Sequence, residues 1–112
     1  MRFAERVPVD GYGPGFFRVG GQVFEGAVLT SGAGTSAWGG YGDTAMLLAL
    51  AGQVDVLLVG TGKEIAHIPS QLRRVLEGAG IGVEVMNSPA ACRTYNVLLS
   101  EARRVALAVI PL

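Results

Sequence analysis

"VDVLLVGTG", residues 54–62, is the stretch on which the fold turns. β-Branched and leucine residues fill its first half with little polar alternation, the pattern of a central strand covered on both faces. Downstream, "PSQLRRVLEGAG" (69–80) sets Leu72, Val75, Leu76 and Ala79 at helical spacing, with Pro69-Ser70 as a start and Gly80 as a stop. "IGVEVM" (81–86) is a further strand. "NSPAACRTYNVLLSEA" (87–102) predicts a helix with Ser88 as N-cap and Pro89 at the first helical position. "RRVALAVI" (103–110) predicts a last strand, which Pro111 ends. Strand–helix–strand units of this kind favour parallel neighbours joined by right-handed crossovers.

Upstream of residue 54 the pattern changes. Residues 1–15 read as an irregular N-terminal arm, because Pro8, Gly11, Gly13, Pro14 and Gly15 interrupt any period. "FFRV" (16–19) and "QVFEGAVLT" (22–30) flank Gly20-Gly21, a hairpin signal, since both turn positions need positive φ. "SGAGTSAWGGYG" (31–42) reads as a glycine-rich loop and "DTAMLLALAG" (43–52) as a short helix capped by Asp43 or Thr44. The predicted order is β-β-α-β-α-β-α-β, a mixed-sheet α/β sandwich occupying residues 16–112 as a single domain.

Composition bounds the function. The chain has 112 residues, half of them hydrophobic, and no net charge at pH 7. Such a chain can bury one core, and its balanced charge gives no general attraction for nucleic acid. No apolar run approaches the ~20 residues of a membrane-spanning helix. The single cysteine, Cys92, suits a reducing compartment, and "MRFAERVPVDGYGPG" has no apolar signal core. The expectation is a cytoplasmic domain.

The glycines of Gly60-Thr61-Gly62 resemble a phosphate loop only at first sight. A P-loop needs four residues before its Gly-Lys and Ser or Thr after it, whereas here Lys63 comes early and Glu64 follows. The dinucleotide fingerprint needs a third glycine where Ile65 stands. A Walker-type NTPase is excluded. The glycines then either turn the chain at the end of a buried strand or line a crevice. If the two central strands are parallel neighbours, Gly60, Thr61 and Gly62 lie beside Asn87, Ser88 and Arg93, and open α/β sheets bind ligands in such crevices. A small anion held by backbone amides, Ser88 and Arg93 is one reading. The other is that Ser88 caps the helix while Arg93 and Asn96 tie down neighbouring loops.

Other candidates are sparser. Cys92, close to a helix N-terminus, is either a nucleophile or a buried side chain. His67 has no partner nearby in sequence, and one Cys with one His provides no metal-ligand spacing. The carboxylates are scattered, so no catalytic set, metal or cofactor is expected. Tyr12 and Trp38, in glycine-rich segments, either pack a loop onto the sheet or anchor a partner.

"GYG" (11–13), "FFRVGGQVFEGAVL" (16–29), "VLLVGTG" (56–62) and "GIGVEVMNSPAACRTYNVLLSEARRVALAVI" (80–110) resemble one family of small α/β domains. Its bacterial and archaeal members are of largely unknown function. Its eukaryotic members are mitochondrial assembly factors for respiratory complex I, the NADH:ubiquinone oxidoreductase. The resemblance spans most of the chain and is most specific in the stretch ending "ACRTYNVL". It implies a three-layer domain with a mixed central sheet and an interaction or assembly role without established catalysis. Relatives often carry Asp-Thr where this chain has Asn87-Ser88, which removes a charge partner for Arg93. The stretch from Trp38 to Asp43 is also shorter than in many relatives.

Three functions are therefore expected in competition. The first is a non-enzymatic domain that binds another protein during assembly of a respiratory or other membrane complex. The second is a small-molecule or anion-binding domain, or an enzyme, using the 60–62 and 87–93 crevice. The third is a homo-oligomer that hides surplus apolar surface.

Overall fold

The computed structural model describes residues 7–112. Eight strands and three helices follow in the order β1 (Val9–Gly13), β2 (Phe16–Val19), β3 (Gln22–Glu25), β4 (Val28–Ser31), β5 (Gly34–Ala37), α1 (Thr44–Leu48), β6 (Val56–Gly60), α2 (Ser70–Gly78), β7 (Gly82–Met86), α3 (Ser88–Ser100) and β8 (Val105–Val109). A 3₁₀ turn at Gly40–Gly42 precedes α1.

Five strands form the central sheet in the order β5-β4-β8-β6-β7. β6 pairs in parallel with both β7 and β8, as the crossover pattern requires, while β4 runs antiparallel to β8 and β5. The sheet is mixed for a reason visible in its connections. The crossovers through α2 and α3 make the parallel half, the short turn between β4 and β5 makes their pairing antiparallel, and β4 meets β8 antiparallel across most of the chain.

The pleat divides the core in two. Leu57, Val59, Ala106 and Ala108 face α1 and α2, meeting Leu47, Leu50, Leu72 and Leu76. Leu58, Val105, Leu107 and Val109 face the other way, onto Ala91, Cys92, Tyr95 and Leu99 of α3 and Phe17 and Val19 of the small sheet. All five residues of β8 are buried, so a strand without polar alternation is what this position demands. The domain is an α/β sandwich of three layers, with α1 and α2 on one face of the central sheet and α3 with the small sheet on the other.

α2 ends as its sequence signals. Gly80 takes φ +87°, and the Ile81 and Gly80 amides return to Leu76 and Glu77 carbonyls at 3.0 Å each, a Schellman closure.

The N-terminal half departs from the sequence reading in three places. Residues 9–13, read as part of an irregular arm, form β1, which joins β2 and β3 in a separate three-stranded antiparallel sheet. A bulge at Asp10 shifts the register, and the Phe16 ring covers Gly13, so glycines do not prevent pairing here. "QVFEGAVLT", read as one strand, breaks at Gly26 (φ +84°) into β3 and β4, which belong to different sheets. The glycine-rich loop contains β5, an edge strand of small polar residues with no apolar alternation to betray it.

Candidate functional site

The parallel pairing of β6 with β7 brings the two glycine-rich and helix-capping segments together, as the crevice reading requires. Asn87 is the N-cap of α3: its backbone is extended, and its Oδ1 accepts from the Ala90 amide at 2.8 Å. The cap expected at Ser88 thus falls one residue earlier, and Pro89 occupies the second helical position. The reason is that the Ser88 hydroxyl is engaged elsewhere.

Ser88 is fully buried. Its Oγ accepts from the Gly62 amide at 2.8 Å and donates to the Ile110 carbonyl at 2.6 Å, while its own amide donates to the Gly62 carbonyl at 2.7 Å. The Ile110 amide in turn reaches the Gly60 carbonyl at 2.9 Å. One hydroxyl therefore joins the carboxyl ends of β6 and β8 to the first turn of α3.

The joint is close-packed. A Cβ on Gly60 would stand 2.7 Å from Val109 Cγ1 and 2.8 Å from both Ser88 Cα and Oγ. Only glycine lets the helix start approach the strand this closely. Gly62 takes φ +100°, which turns the chain back over the joint. Thr61 secures the loop beyond, since its hydroxyl donates to the Glu64 carbonyl at 2.7 Å and accepts from the Ala66 amide at 3.0 Å.

Of the six residues assigned to the crevice, Gly60, Thr61, Gly62, Asn87 and Ser88 converge. Gly62 and Ser88 bond each other, and the side chains of Thr61 and Asn87 are taken up by backbone groups of their own loop and helix start. Arg93 is exposed on α3, one helical turn further on, and forms no ion pair among the described residues. Asn96, on the same helix, ties down a distant segment: its side chain holds both backbone groups of Val9.

Cys92 is 2 % exposed, and burial pushes its thiol pKa up to about 12 against the opposing charge of Arg93. A thiol so placed is held neutral, the opposite of an activated nucleophile. Tyr95 is buried as well, and its hydroxyl has no hydrogen-bond partner among the described residues. His67 is exposed, and among the described residues no cluster of three metal-ligating side chains occurs.

Trp38 packs into the core beneath α1, with its ring edge-on to Tyr41 at 5.9 Å. That is the loop-packing role. Tyr12 remains on the surface at the rim of the small sheet. A feature not singled out from the sequence is a cleft of about 300 Å³ lined by Ile65, Ala66, His67, Ile68, Arg73 and Val85. Its one sequence signal is Ile65, an apolar residue inside a polar turn.

Residues 9–110 match the model of a family described as "Protein of unknown function (DUF498/DUF598)". The chain belongs to that family. An uncharacterized protein of Rhodobacter capsulatus is 51% identical to this DUF498/DUF598 chain over 110 residues, covering 98% of the chain and 89% of the relative. The Danio rerio protein named NADH dehydrogenase [ubiquinone] 1 alpha subcomplex assembly factor 3 is 32% identical over 107 residues. That match covers 89% of this chain but 62% of the fish protein. Among solved structures, one described as an outer membrane protein from Bartonella henselae superposes with a TM-score of 0.88 at 34% identity, covering 98% of both chains. In this chain, no helix among the described residues is long and apolar enough to cross a membrane.

Proposed function

We propose that this DUF498/DUF598 chain is a non-enzymatic, cytoplasmic interaction domain that assists assembly of a respiratory or other membrane-bound complex. The observation that carries the reading is the relationship to assembly factor 3, which extends over 89% of the chain. The geometry of the joint supports it. Ser88, Gly60, Gly62 and Ile110 satisfy one another, so the arrangement acts as a structural lock between the sheet and α3 rather than as a reception site for an anion. A tagged chain expressed at native level in its own host should co-purify with subunits or intermediates of NADH:ubiquinone oxidoreductase, and its deletion should lower the assembled complex on native gels. Unchanged complex in the deletion strain, or fractionation outside the cytoplasm, counts against the proposal.

A ligand at the joint remains the competing reading, favoured by one observation: Arg93 is exposed beside the α3 N-terminus. A thermal-shift screen of phosphates, nucleotides and carboxylates separates the two. A shift that Arg93→Ala abolishes favours the ligand, and a flat screen favours assembly.

A further inference from the structure

The outer edge of β7 carries unpaired backbone groups. In the parallel ladder the Gly82 amide donates to Asp55 and the Met86 carbonyl accepts from Thr61, which turns Gly82, Glu84 and Met86 toward β6. Backbone groups alternate along a strand, so those of Val83 and Val85 point away from the sheet. Only one has a partner among the described residues: Arg73 Nη1 donates to the Val83 carbonyl at 3.2 Å. Arg73 also pairs with Glu77 at 3.3 Å, and both side chains are 40–50% exposed. A contact so exposed is weak and easily displaced.

The side chains beside this edge specify what can dock. On the α2 face, Val85 opens into the 300 Å³ cleft, where Ile65, Ala66 and Ile68 offer an apolar side chain its contacts and His67 and Arg73 form the polar remainder of the wall. On the α3 face, Glu84 stands exposed in the middle of the strand. We propose that β7 is a docking edge for an extended segment of a partner protein, one that adds an antiparallel strand to the sheet. That segment would place apolar residues beside Val83 and Val85 and a basic residue opposite Glu84. Backbone bonds supply the attachment, and the cleft with Glu84 supplies the selection.

The charge argues against a second copy of this chain as occupant. Antiparallel self-pairing that joins Val83 to Val85 of the other copy and Val85 to its Val83 sets Glu84 against Glu84, and like charges directly opposite are unfavourable. Glu84 thus discourages the edge from pairing with itself while attracting a basic strand.

The proposal rests on the interaction role given above and locates its surface. The probe is a capped peptide, Thr-Val-Lys-Val-Thr, titrated to millimolar concentration into the ¹⁵N-labelled protein. Its control carries Glu in place of Lys. Shifts should concentrate on residues 82–86 and 65–68, with the Lys peptide about 3- to 10-fold tighter than the Glu peptide and the order reversed in Glu84→Lys. Val83 and Val85 amides should exchange with solvent far faster than those of Leu58 and Leu107. Absent shifts, shifts centred elsewhere, or no difference between the two peptides would overturn the proposal. So would a sedimenting dimer with protected Val83 and Val85 amides, which would make a second copy the occupant. In the co-purification experiment, Glu84→Lys and Val85→Pro should reduce recovery at least several-fold. Val85→Pro removes an outward amide and no ladder bond, and a wild-type-like melting curve confirms its fold. Full recovery with both variants removes the β7 edge and leaves the assembly role standing, whereas no recovery with wild type removes the role and leaves the peptide titration to judge the edge.

Discussion

Asn96 clamps Val9 across 87 positions of sequence, its Oδ1 accepting the Val9 amide at 2.9 Å and its Nδ2 donating to the Val9 carbonyl at 2.8 Å. A carboxamide presents one acceptor and two donors, so a single side chain can imitate a neighbouring strand. The bond pair fastens the small sheet to α3, where Phe17 and Val19 complete the core. Asn96→Ala should cost about 1–3 kcal/mol in urea unfolding, because two partly buried backbone groups lose their partner. Exchange of the Val9 amide should accelerate more than that of Leu58. Equal acceleration at both sites would mean that β1 is not separately held by Asn96.

The joint at Ser88 predicts a second, larger effect. Ser88→Ala leaves the Gly62 amide and the Ile110 carbonyl without their partner, at a cost of about 2–4 kcal/mol. Gly60→Ala adds a methyl group 2.8 Å from the backbone of Ser88, and α3 can yield only by shifting as a unit. A loss of at least about 2 kcal/mol is expected. Equilibrium denaturation measures both. A Gly60→Ala protein as stable as wild type would show that space exists between β6 and α3, which is the condition a ligand crevice needs.

The parallel half of this fold was legible because its signals are local and strong. β6 and β8 are continuous apolar runs, and α2 carries its stop signal at Gly80. The N-terminal half was not, since β1 and β5 owe their existence to partners: β2 and Asn96 for one, β4 for the other. Neither segment has the apolar alternation from which strands are read. The nearness of residues 60–62 to 87–88 followed from parallel pairing alone. The filling of the gap did not follow, because it depends on which rotamer Ser88 takes and on Ile110, just past the end of a third strand. The Ser88 hydroxyl could serve one role only, and the cap passed to Asn87.

Burial of Cys92 sets a pH dependence. Its folded pKa, about 12, lies above the ordinary thiol value of 9.0, so the folded state holds the proton while the unfolded chain releases it. Stability from this group is fully present below pH 9 and declines as the pH rises toward 12. By pH 11 the loss is about 2–3 kcal/mol. Urea midpoints at pH 8 and pH 10.5 should therefore fall further apart in wild type than in Cys92→Ala. The folded protein should also resist iodoacetamide at pH 8. Rapid labelling, or an identical alkaline decline in the variant, would contradict the burial.

Tyr95 makes the opposite kind of prediction. The ring is wholly buried against the central sheet, yet its hydroxyl has no partner among the described residues. The nearby Thr30 hydroxyl is already engaged with Thr35 at 2.6 Å, and although Thr30 opposes it, burial still raises the phenol pKa. A buried hydroxyl without a partner carries its desolvation cost with no return, so its removal should be harmless. Tyr95→Phe is expected to match wild type within about 0.5 kcal/mol or to exceed it by about 1 kcal/mol. Tyr95→Ala should lose about 3–5 kcal/mol, since the ring fills the layer between α3 and the sheet. The two substitutions separate shape from polarity at one position. A Phe variant that lost more than about 1 kcal/mol would show that the hydroxyl turns to bond Thr30, and that the threonine pair and the tyrosine form one network.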